Sequence, residues 1–357
     1  MENRRLLSIS LPFVAGVACG TLCDGAFSTA PEMTSQVSLF VIVFCLGALT
    51  LSKKHDRWVI PVMLFALGVF CRCCRCQLFP VIAEHGRLSL TERVNDIIDR
   101  IPFEDGRTAP LLRALMTGDR SGLDRETVSA FRRSGASHLL ALSGLHLGII
   151  AMFVRYLLSV LGNSRPAETV RAGLLIEFCT AYTIACGASP SLVRALLFII
   201  LQQIASLSPG RRSSPADRLC IAGTVQLALD PGAIGTVAFQ LSYLAMLGIV
   251  LIAPRLEAWY PSTRLSARID PLLRIWKGAA VAISCQITTA PVVLLRFGYF
   301  PQYFLLTNLL AMPVCEILLP MALITLLLGS PFPLVWATDK LATLLLNILT
   351  VIGGRGG

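Results

Sequence analysis

The chain has 357 residues, of which 55% are hydrophobic and only 15% are charged, and its mean hydropathy is +0.70. A soluble globular domain carries about 25% charged residues, so this composition excludes an ordinary soluble protein and indicates a polytopic membrane protein. The formal net charge of +10 does not by itself indicate a nucleic-acid partner, because membrane proteins concentrate Lys and Arg in their cytoplasmic loops.

Apolar runs of spanning or nearly spanning length recur along the whole chain. A helix that crosses the hydrocarbon layer needs about 20 predominantly apolar residues. The sequence therefore predicts an all-α polytopic membrane protein, a bundle of roughly eleven transmembrane helices, some broken or short, with a small periplasmic segment. The predicted spans are residues 6–22, 37–51, 58–70, 139–161, 174–186, 192–207, 219–229, 234–253, 279–295, 303–328 and 334–352.

Two of these runs leave alternatives open. The run at 303–328 is long enough for one tilted span or a broken pair, because Pro313 and Pro320 interrupt it. The first run resembles a signal peptide in having Arg4 and Arg5 before an apolar segment. A retained anchor is favoured, since no clean small-residue cleavage site follows the run in a polar context.

The distribution of Lys and Arg predicts the orientation of the chain. Basic residues occur before the first span, in the loop after the second span, and in alternate loops after that, the longest being 254–278. Because cytoplasmic loops carry this excess, the N-terminus is predicted to be cytoplasmic. Residues 72–109 then form a short periplasmic segment between N-terminal transmembrane helices at 1–71 and a membrane domain at 110–352.

The chain contains 12 cysteines, most of them inside apolar runs, where cysteine behaves as a small hydrophobe. The exception is the segment Cys71-Arg72-Cys73-Cys74-Arg75-Cys76. Its spacing is tighter than that of paired C-x-x-C zinc sites, and no histidine pair lies nearby in the sequence. This cluster therefore favours a disulfide-forming or neutral role, and no metal site is predicted.

Polar residues are concentrated at the start of the predicted span 139–161. His138, Ser143 and His146 lie at this point, where lipid-facing residues are expected. Such side chains are costly in hydrocarbon, so they are expected to face a bundle interior or a water-filled path. Arg194, inside the predicted span 192–207, either extends to the membrane surface or places a fixed positive charge within the bundle.

Asp119 and Arg120 lie in the polar segment that precedes this span. The simplest interpretation is a capped helix with solvated charges. The functional alternative is a mouth at which Arg120, Arg132 and Arg133 contact phosphates, because guanidinium groups bind phosphate in a bidentate geometry.

Several motifs in this region also carry a family resemblance. Gly-Asp-Arg-Ser-Gly-Leu at 118–123 is followed by His-Leu-Leu-Ala-Leu-Ser-Gly-Leu-His at 138–146, Gly-Ala-Ser-Pro-Ser-Leu-Val-Arg-Ala at 187–195 and Phe-Gln-Leu-Ser-Tyr-Leu-Ala at 239–245. Thr289-Ala290-Pro291, Phe297-Gly298, Asn308 and Pro313 follow in order. In this order, the motifs resemble the signature of the ComEC competence family, the inner-membrane channel proteins of bacterial transformation.

The resemblance implies a non-enzymatic channel in the bacterial inner membrane that translocates single-stranded DNA, with residues 110–352 as a competence-type channel domain and no cofactor. It implies three partners besides the DNA and the lipid bilayer: a periplasmic DNA-binding receptor, a cytoplasmic helicase-like ATPase and a separate nuclease. Both a single-chain pore and a homodimer are left open. The candidate residues of the DNA path are Asp119, Arg120, His138, Ser143, His146, Arg194, Gln240, Ser242 and Asn308.

The chain departs from longer members of that family in two respects. Its histidines are His55, His85, His138 and His146, and none belongs to a His-x-His-x-Asp-His run of the metallo-β-lactamase type. The predicted periplasmic segment is also too short for an oligonucleotide-binding barrel. No P-loop is present either, so neither a nuclease nor a nucleotide-driven motor is predicted in this chain.

Two other functions are alternatives to a DNA channel. Ser143 and His146 are three residues apart and would share one face of the predicted helix. A membrane-embedded serine hydrolase would use Ser143 as nucleophile and His146 as base. A small-solute carrier is the third possibility, but the inverted repeats expected of many carriers are not visible in the sequence.

Overall fold

The computed structural model describes residues 3–23, 37–43, 45, 56–73, 91–162, 164–207, 214–260 and 270–354. Within these ranges the chain is helical and contains no strand. The helices are α1 (Asn3–Cys23), α2 (37–43), α3 (Asp56–Cys73), α4 (91–99), α5 (Thr108–Met116), α6 (Arg125–Arg133), α7 (Ser137–Leu140), α8 (Gly144–Leu157), α9 (Arg165–Ala185), α10 (Pro190–Leu207), α11 (Pro215–Leu229), α12 (Val237–Leu251), α13 (Ala253–Glu257), α14 (Pro271–Phe297), α15 (Phe304–Leu327) and α16 (Phe332–Gly354).

The chain forms two compact units. The first comprises residues 1–82 and 200–243, and the second comprises 83–199 and 244–357. The core of the first unit contains Phe13 and Val17 of α1, Leu227 of α11 and Phe239 of α12. These side chains are 7% exposed or less, so α1 is an integral part of this unit.

In the first unit, α1 and α3 cross in direct backbone contact. A Cβ atom added at Gly16 would lie 2.1 Å from the carbonyl oxygen of Phe65, and one added at Gly68 would lie 2.3 Å from that of Phe13. Real Cβ atoms do not approach backbone this closely. Close crossings of this kind are typical of membrane helices, where small residues let two backbones pack together.

We therefore expect Gly68→Ala to destabilise the protein by roughly 1–3 kcal/mol, since the added methyl group forces α1 and α3 apart. Thermal unfolding of the purified protein in detergent measures this loss. Gly173→Ala in α9 is the matched control, because nothing lies within 4 Å of a Cβ atom at that position. Equal melting temperatures for Gly68→Ala and Gly173→Ala would contradict the close crossing.

The core of the second unit is built from α5, α15 and α16. Leu111 and Leu115 of α5, Leu318 of α15 and Leu345 of α16 all have 0% exposure and belong to one hydrophobic cluster. The nine-residue α5 therefore lies inside the helical bundle, packed against two of its longest helices.

Six helices in the described part of the chain are long and apolar enough to cross a membrane. The apolar helical segments Ser10–Thr21 and Val59–Cys73 are shorter. The chain is thus a multi-pass membrane protein that is helical throughout its described ranges, and the total of roughly eleven spans remains a prediction. The six helical segments are Gly144–Leu161, Pro190–Leu207, Val237–Glu257, Leu272–Phe297, Phe304–Leu327 and Phe332–Gly354.

Individual runs differ from their predicted form. The run at 303–328 is one continuous helix, α15, with Pro313 and Pro320 inside it. The predicted span 174–186 is the C-terminal part of α9, whose 21 residues include charged side chains in the N-terminal half. Most of the second half of the predicted span 37–51, and Cys74 and Cys76 of the cysteine cluster, lie outside the described residues.

Candidate functional site

The predicted span 139–161 is broken near its start. α7 ends at Leu140, Ala141 and Ser143 have extended backbone conformations, and α8 begins at Gly144. The expectation that Ser143 and His146 share a helical face is therefore wrong, because Ser143 precedes the helix. Serine is among the preferred residues at this N-cap position, since its side chain can satisfy a free N–H group of the first turn.

Ser143 and His146 form a reciprocal cap at the start of α8. The backbone N–H of Ser143 donates to Nδ1 of His146 at 3.1 Å, and the Ser143 hydroxyl oxygen lies 2.8 Å from the same nitrogen. Because Nδ1 accepts the backbone N–H, the neutral ring carries its proton on Nε2. The geometry is that of a capping box in which histidine takes the place of the usual glutamate.

The same geometry bears on the hydrolase alternative. A histidine that activates a serine is normally oriented through its second ring nitrogen by a third group. Nε2 of His146 is buried, and no hydrogen-bond partner reaches it from the described residues. The pair therefore has the nucleophile-to-base distance of a hydrolase but lacks an orienting partner for the base in this part of the chain.

We expect Ser143→Ala to lower stability by about 1 kcal/mol, because α8 loses its N-cap. The melting temperature in detergent measures this change, and Ser143→Asn, which restores a capping oxygen, is the control. A serine-directed fluorophosphonate probe tests catalysis in the same samples. Labelling of the parent protein that disappears in Ser143→Ala would contradict a purely capping role.

Arg194 lies beside the first residue of α8. A Cβ atom added at Gly144 would lie 2.8 Å from a terminal guanidinium nitrogen of Arg194 and 3.1 Å from Cβ of Ala195. Arg194 is one turn inside the candidate span Pro190–Leu207, yet it is only 9% exposed. Neighbouring protein therefore shields the guanidinium from solvent, one turn from the end of this candidate span.

This arrangement concentrates positive potential at one place. The N-terminus of a helix carries a partial positive charge of about half an elementary charge. α8 begins at Gly144, where the buried Arg194 guanidinium lies against the chain. A side chain at residue 144 would require the guanidinium to shift, because a Cβ atom there already lies 2.8 Å from it.

The loop at 117–123 braces the break between α7 and α8. Nε of Arg120 donates to the carbonyl oxygen of Leu140, the last residue of α7, at 2.9 Å. Gly118 has a positive φ of 78°, and a Cβ atom there would lie 2.8 Å from Cδ1 of Leu142.

Asp119, between Gly118 and Arg120, is held by local hydrogen bonds. Its carboxylate accepts hydrogen bonds from Nδ2 of Asn95 at 3.1 Å and from the N–H of Ser121 at 3.0 Å. The Gly-Asp-Arg segment thus positions the break.

The remaining candidate residues are placed differently. His138 is exposed on α7, with Nδ1 3.2 Å from the carbonyl oxygen of Gly135. Asn308 of α15 has a buried Oδ1 that no described residue reaches with a hydrogen bond. Gln240, whose Nε2 donates to the carbonyl oxygen of Ile234 at 3.0 Å, and Ser242, 8% exposed, belong to the first unit.

The arginines proposed for a mouth also have local roles. The Arg132 guanidinium carbon lies 5.3 Å from the ring centroid of Tyr299, within the range of a cation–π interaction. Arg133 follows it at the end of α6, where the Cβ atom of Arg133 packs near Gly353 of α16. Both side chains are exposed, so their positive charge is accessible at this end of the second unit.

Asp339 of α16 was missed as a candidate. It is 2% exposed, and its Oδ1 accepts hydrogen bonds from the Thr108 hydroxyl at 2.6 Å and from the Asp105 N–H at 3.4 Å. The sequence signal was present, because a carboxylate inside the apolar run 334–352 is unusual at membrane depth.

Comparison with known proteins places most of the chain in one family. A family model described as "Competence protein" matches residues 115–354. ComE operon protein 3 of Bacillus subtilis is 28% identical over 203 residues, covering 57% of this chain and 24% of that protein. Recombination protein 2 of Haemophilus influenzae is 26% identical over 255 residues, covering 69% of this chain and 32% of that protein.

A further relative is the uncharacterized protein YcaI of Escherichia coli, 24% identical over 231 residues, with 63% of this chain and 30% of that protein covered. The matched part of this chain spans between about a quarter and a third of each curated relative. No solved structure matches the chain significantly.

Proposed function

The chain belongs to the Competence protein family, and from this premise we propose that it is an inner-membrane channel that carries single-stranded DNA into the cytoplasm during natural transformation. The proposed channel is not an enzyme. It supplies a passage, while the force and the removal of the second strand come from other proteins.

The buried charge at the start of α8 is the observation that carries this proposal. Arg194 is held beside Gly144 at a helix N-terminus, inside a bundle of apolar helices. Ionisable residues at such positions mark substrate or ion pathways in membrane proteins. Single-stranded DNA carries about one negative charge per nucleotide, so a fixed cation and a helix N-terminus both favour its phosphates over neutral solutes.

The break before α8 supports a passage at the same place. Non-helical backbone at membrane depth is tolerated where it is buried in protein or lines a water-filled cavity. At residues 141–143 the helix is interrupted, and Arg120 and Gly118 hold the interruption in place. Arg132 and Arg133, exposed at the end of α6, would attract the strand before it meets Arg194.

The proposed partners rest on the membership of the chain in the Competence protein family. A periplasmic DNA-binding receptor would deliver the strand, a separate nuclease would degrade its complement, and a cytoplasmic helicase-like ATPase would pull it inward. The DNA path proposed here runs through the second unit, and whether one chain or a homodimer encloses it is part of the proposal to be tested.

A serine hydrolase is the second candidate, since the Ser143 hydroxyl lies 2.8 Å from His146 Nδ1. The absence of an orienting group on Nε2 among the described residues favours the channel.

A clean deletion of the gene tests the proposed function. Cells are given double-stranded DNA with an internal label, and the label is measured separately in the periplasm and the cytoplasm. We expect the deletion strain to accumulate label in the periplasm with none in the cytoplasm, and the parent gene supplied in trans to restore entry. Normal cytoplasmic label in the deletion strain would contradict the proposal.

A further inference from the structure

Helices α4 and α5 form an antiparallel helical hairpin. Near its open end, the Thr117 hydroxyl donates to Oδ1 of Asn95 at 2.9 Å. One turn closer to the tip, the Arg113 guanidinium donates to Oδ2 of Asp99 at 2.8 Å. The two pairs keep the same antiparallel register, and the chain turns between the helices at residues 100–107.

The tip of this hairpin lies deep along α16. Asp339 binds Thr108 and the N–H of Asp105, and Nζ of Lys340 lies 2.9 Å from Oε2 of Glu104. At the other end of α16, Gly353 packs against Ala130, in the helix that follows the hairpin. The separation from residue 353 to residue 339 is about 21 Å at about 1.5 Å per residue. The hairpin therefore enters from the Gly353 end of α16 and reaches past the middle of this candidate span.

The two faces of α4 differ sharply. Ile98 is fully buried in the core of the second unit, and Ile101, just after the helix, is 7% exposed. The opposite face is exposed and charged. At about 100° per residue, the charged side chains of α4 and of the residue that follows it fall within an arc of roughly 120°: Glu92, Arg93, Asp96, Asp99 and, just after the helix, Arg100.

We propose that the hairpin of α4 and α5 is a re-entrant element, and that the charged face of α4 borders a water-filled passage inside the membrane. Charged side chains are costly in hydrocarbon, so Asp99 and Arg100, which lie next to the hairpin tip, are expected to face a bundle interior or an aqueous cavity. This inference rests on the proposed channel function and assigns one wall of the passage.

The charge pattern of this wall suits transit of a polyanion. With Arg113 counted, because it pairs with Asp99, the wall carries three acidic and three basic side chains. A balanced surface keeps the passage hydrated without holding phosphates tightly, and conduction requires that a permeant species bind weakly enough to leave. Arg194 and this wall then have different roles, the first in attraction and the second in hydration.

Cysteine accessibility in intact membranes tests the re-entrant wall. Asp96→Cys is placed on the charged face, Ile98→Cys on the buried face, and Leu344→Cys on the surface of α16, where Leu344 is 47% exposed between Asp339 and Gly353. A membrane-impermeant methanethiosulfonate is applied, and peptide mapping separates the new thiols from the native cysteines. We expect Asp96→Cys to react at least about tenfold faster than the other two, because only a hydrated thiol ionises readily.

The outcomes separate this inference from the channel proposal, because DNA entry is measured in the same strains. Reaction at Asp96→Cys that also blocks DNA entry supports both. If Asp96→Cys reacts but deletion of the gene leaves DNA entry normal, the charged face of α4 does border water and the DNA channel is overturned. If Asp96→Cys is as unreactive as Ile98→Cys, or if Leu344→Cys reacts equally fast, the re-entrant wall is overturned even when DNA entry is intact.

Discussion

Arg194→Gln is expected to lower the entry of labelled DNA into the cytoplasm by roughly a hundredfold, the effect of losing about 2–3 kcal/mol of interaction with a passing phosphate. The guanidinium is 9% exposed and lies against Gly144 at the N-terminus of α8. Its charge therefore acts in a partly dehydrated site, where solvent screens it less than at a surface. Label in the cytoplasm, normalised to the amount of protein in the membrane, is the measurement.

The control for this variant is Arg155→Gln, in the last turn of α8, where the arginine is exposed. We expect near-normal DNA entry for this control and partial entry for Arg194→Lys, which keeps the charge but loses the planar donor geometry. Gly144→Leu perturbs the same site in a second way, since the leucine side chain would displace the Arg194 guanidinium. Normal DNA entry in Arg194→Gln at normal protein levels would show that the buried cation plays no part in DNA passage.

Asp339→Ala is expected to destabilise the protein by about 2–4 kcal/mol. The buried Thr108 hydroxyl would lose its acceptor, which costs about 1–3 kcal/mol, and the partly buried Asp105 N–H would lose a longer hydrogen bond of 3.4 Å, worth about 0.5–1.5 kcal/mol. Because both donors belong to the tip of the α4–α5 hairpin, the tip should also become susceptible to proteolysis near residues 104–107. Thermal unfolding in detergent and limited proteolysis measure the two effects.

Two variants show whether this effect is specific. Asp339→Asn keeps an acceptor oxygen and is expected to lose much less stability than Asp339→Ala. Lys340→Ala removes an ion pair to Glu104 between side chains that are 52% and 62% exposed, so little change is expected. A melting temperature for Asp339→Ala equal to that of Lys340→Ala would show that Asp339 does not hold the hairpin in place.

Composition and hydropathy were enough to predict an all-helical, multi-pass membrane protein, because the cost of exposing backbone groups in lipid allows few alternatives. The long runs that became α14, α15 and α16 are also recognisable, since each is apolar over a spanning length. The continuity of α15 across Pro313 and Pro320 was not decided by sequence, because neighbouring helices determine whether a proline breaks a membrane helix.

The site was predicted only in part. The residues around the α8 start could be chosen from their polarity, but the break itself was hidden, because apolar residues on both sides of Ser143 continue the run. Apolar residues at helical spacing over 88–101 indicate the amphipathic helix α4, whose Ile98 docks in the core, but its pairing with α5 in a hairpin is not predicted, for a different reason. Each helix is short, and its position beside α16 depends on tertiary contacts such as Thr108 with Asp339 rather than on local pattern.

A planar lipid bilayer recording with the purified full chain tests whether the protein forms a passage for single-stranded DNA. We expect an ionic current in the presence of the protein. Single-stranded DNA should interrupt this current, double-stranded DNA of the same length should not, and interruptions should be far less frequent in Arg194→Gln. A bilayer that holds folded protein but passes no current, or a current that single strands never interrupt, would contradict a passage for single-stranded DNA.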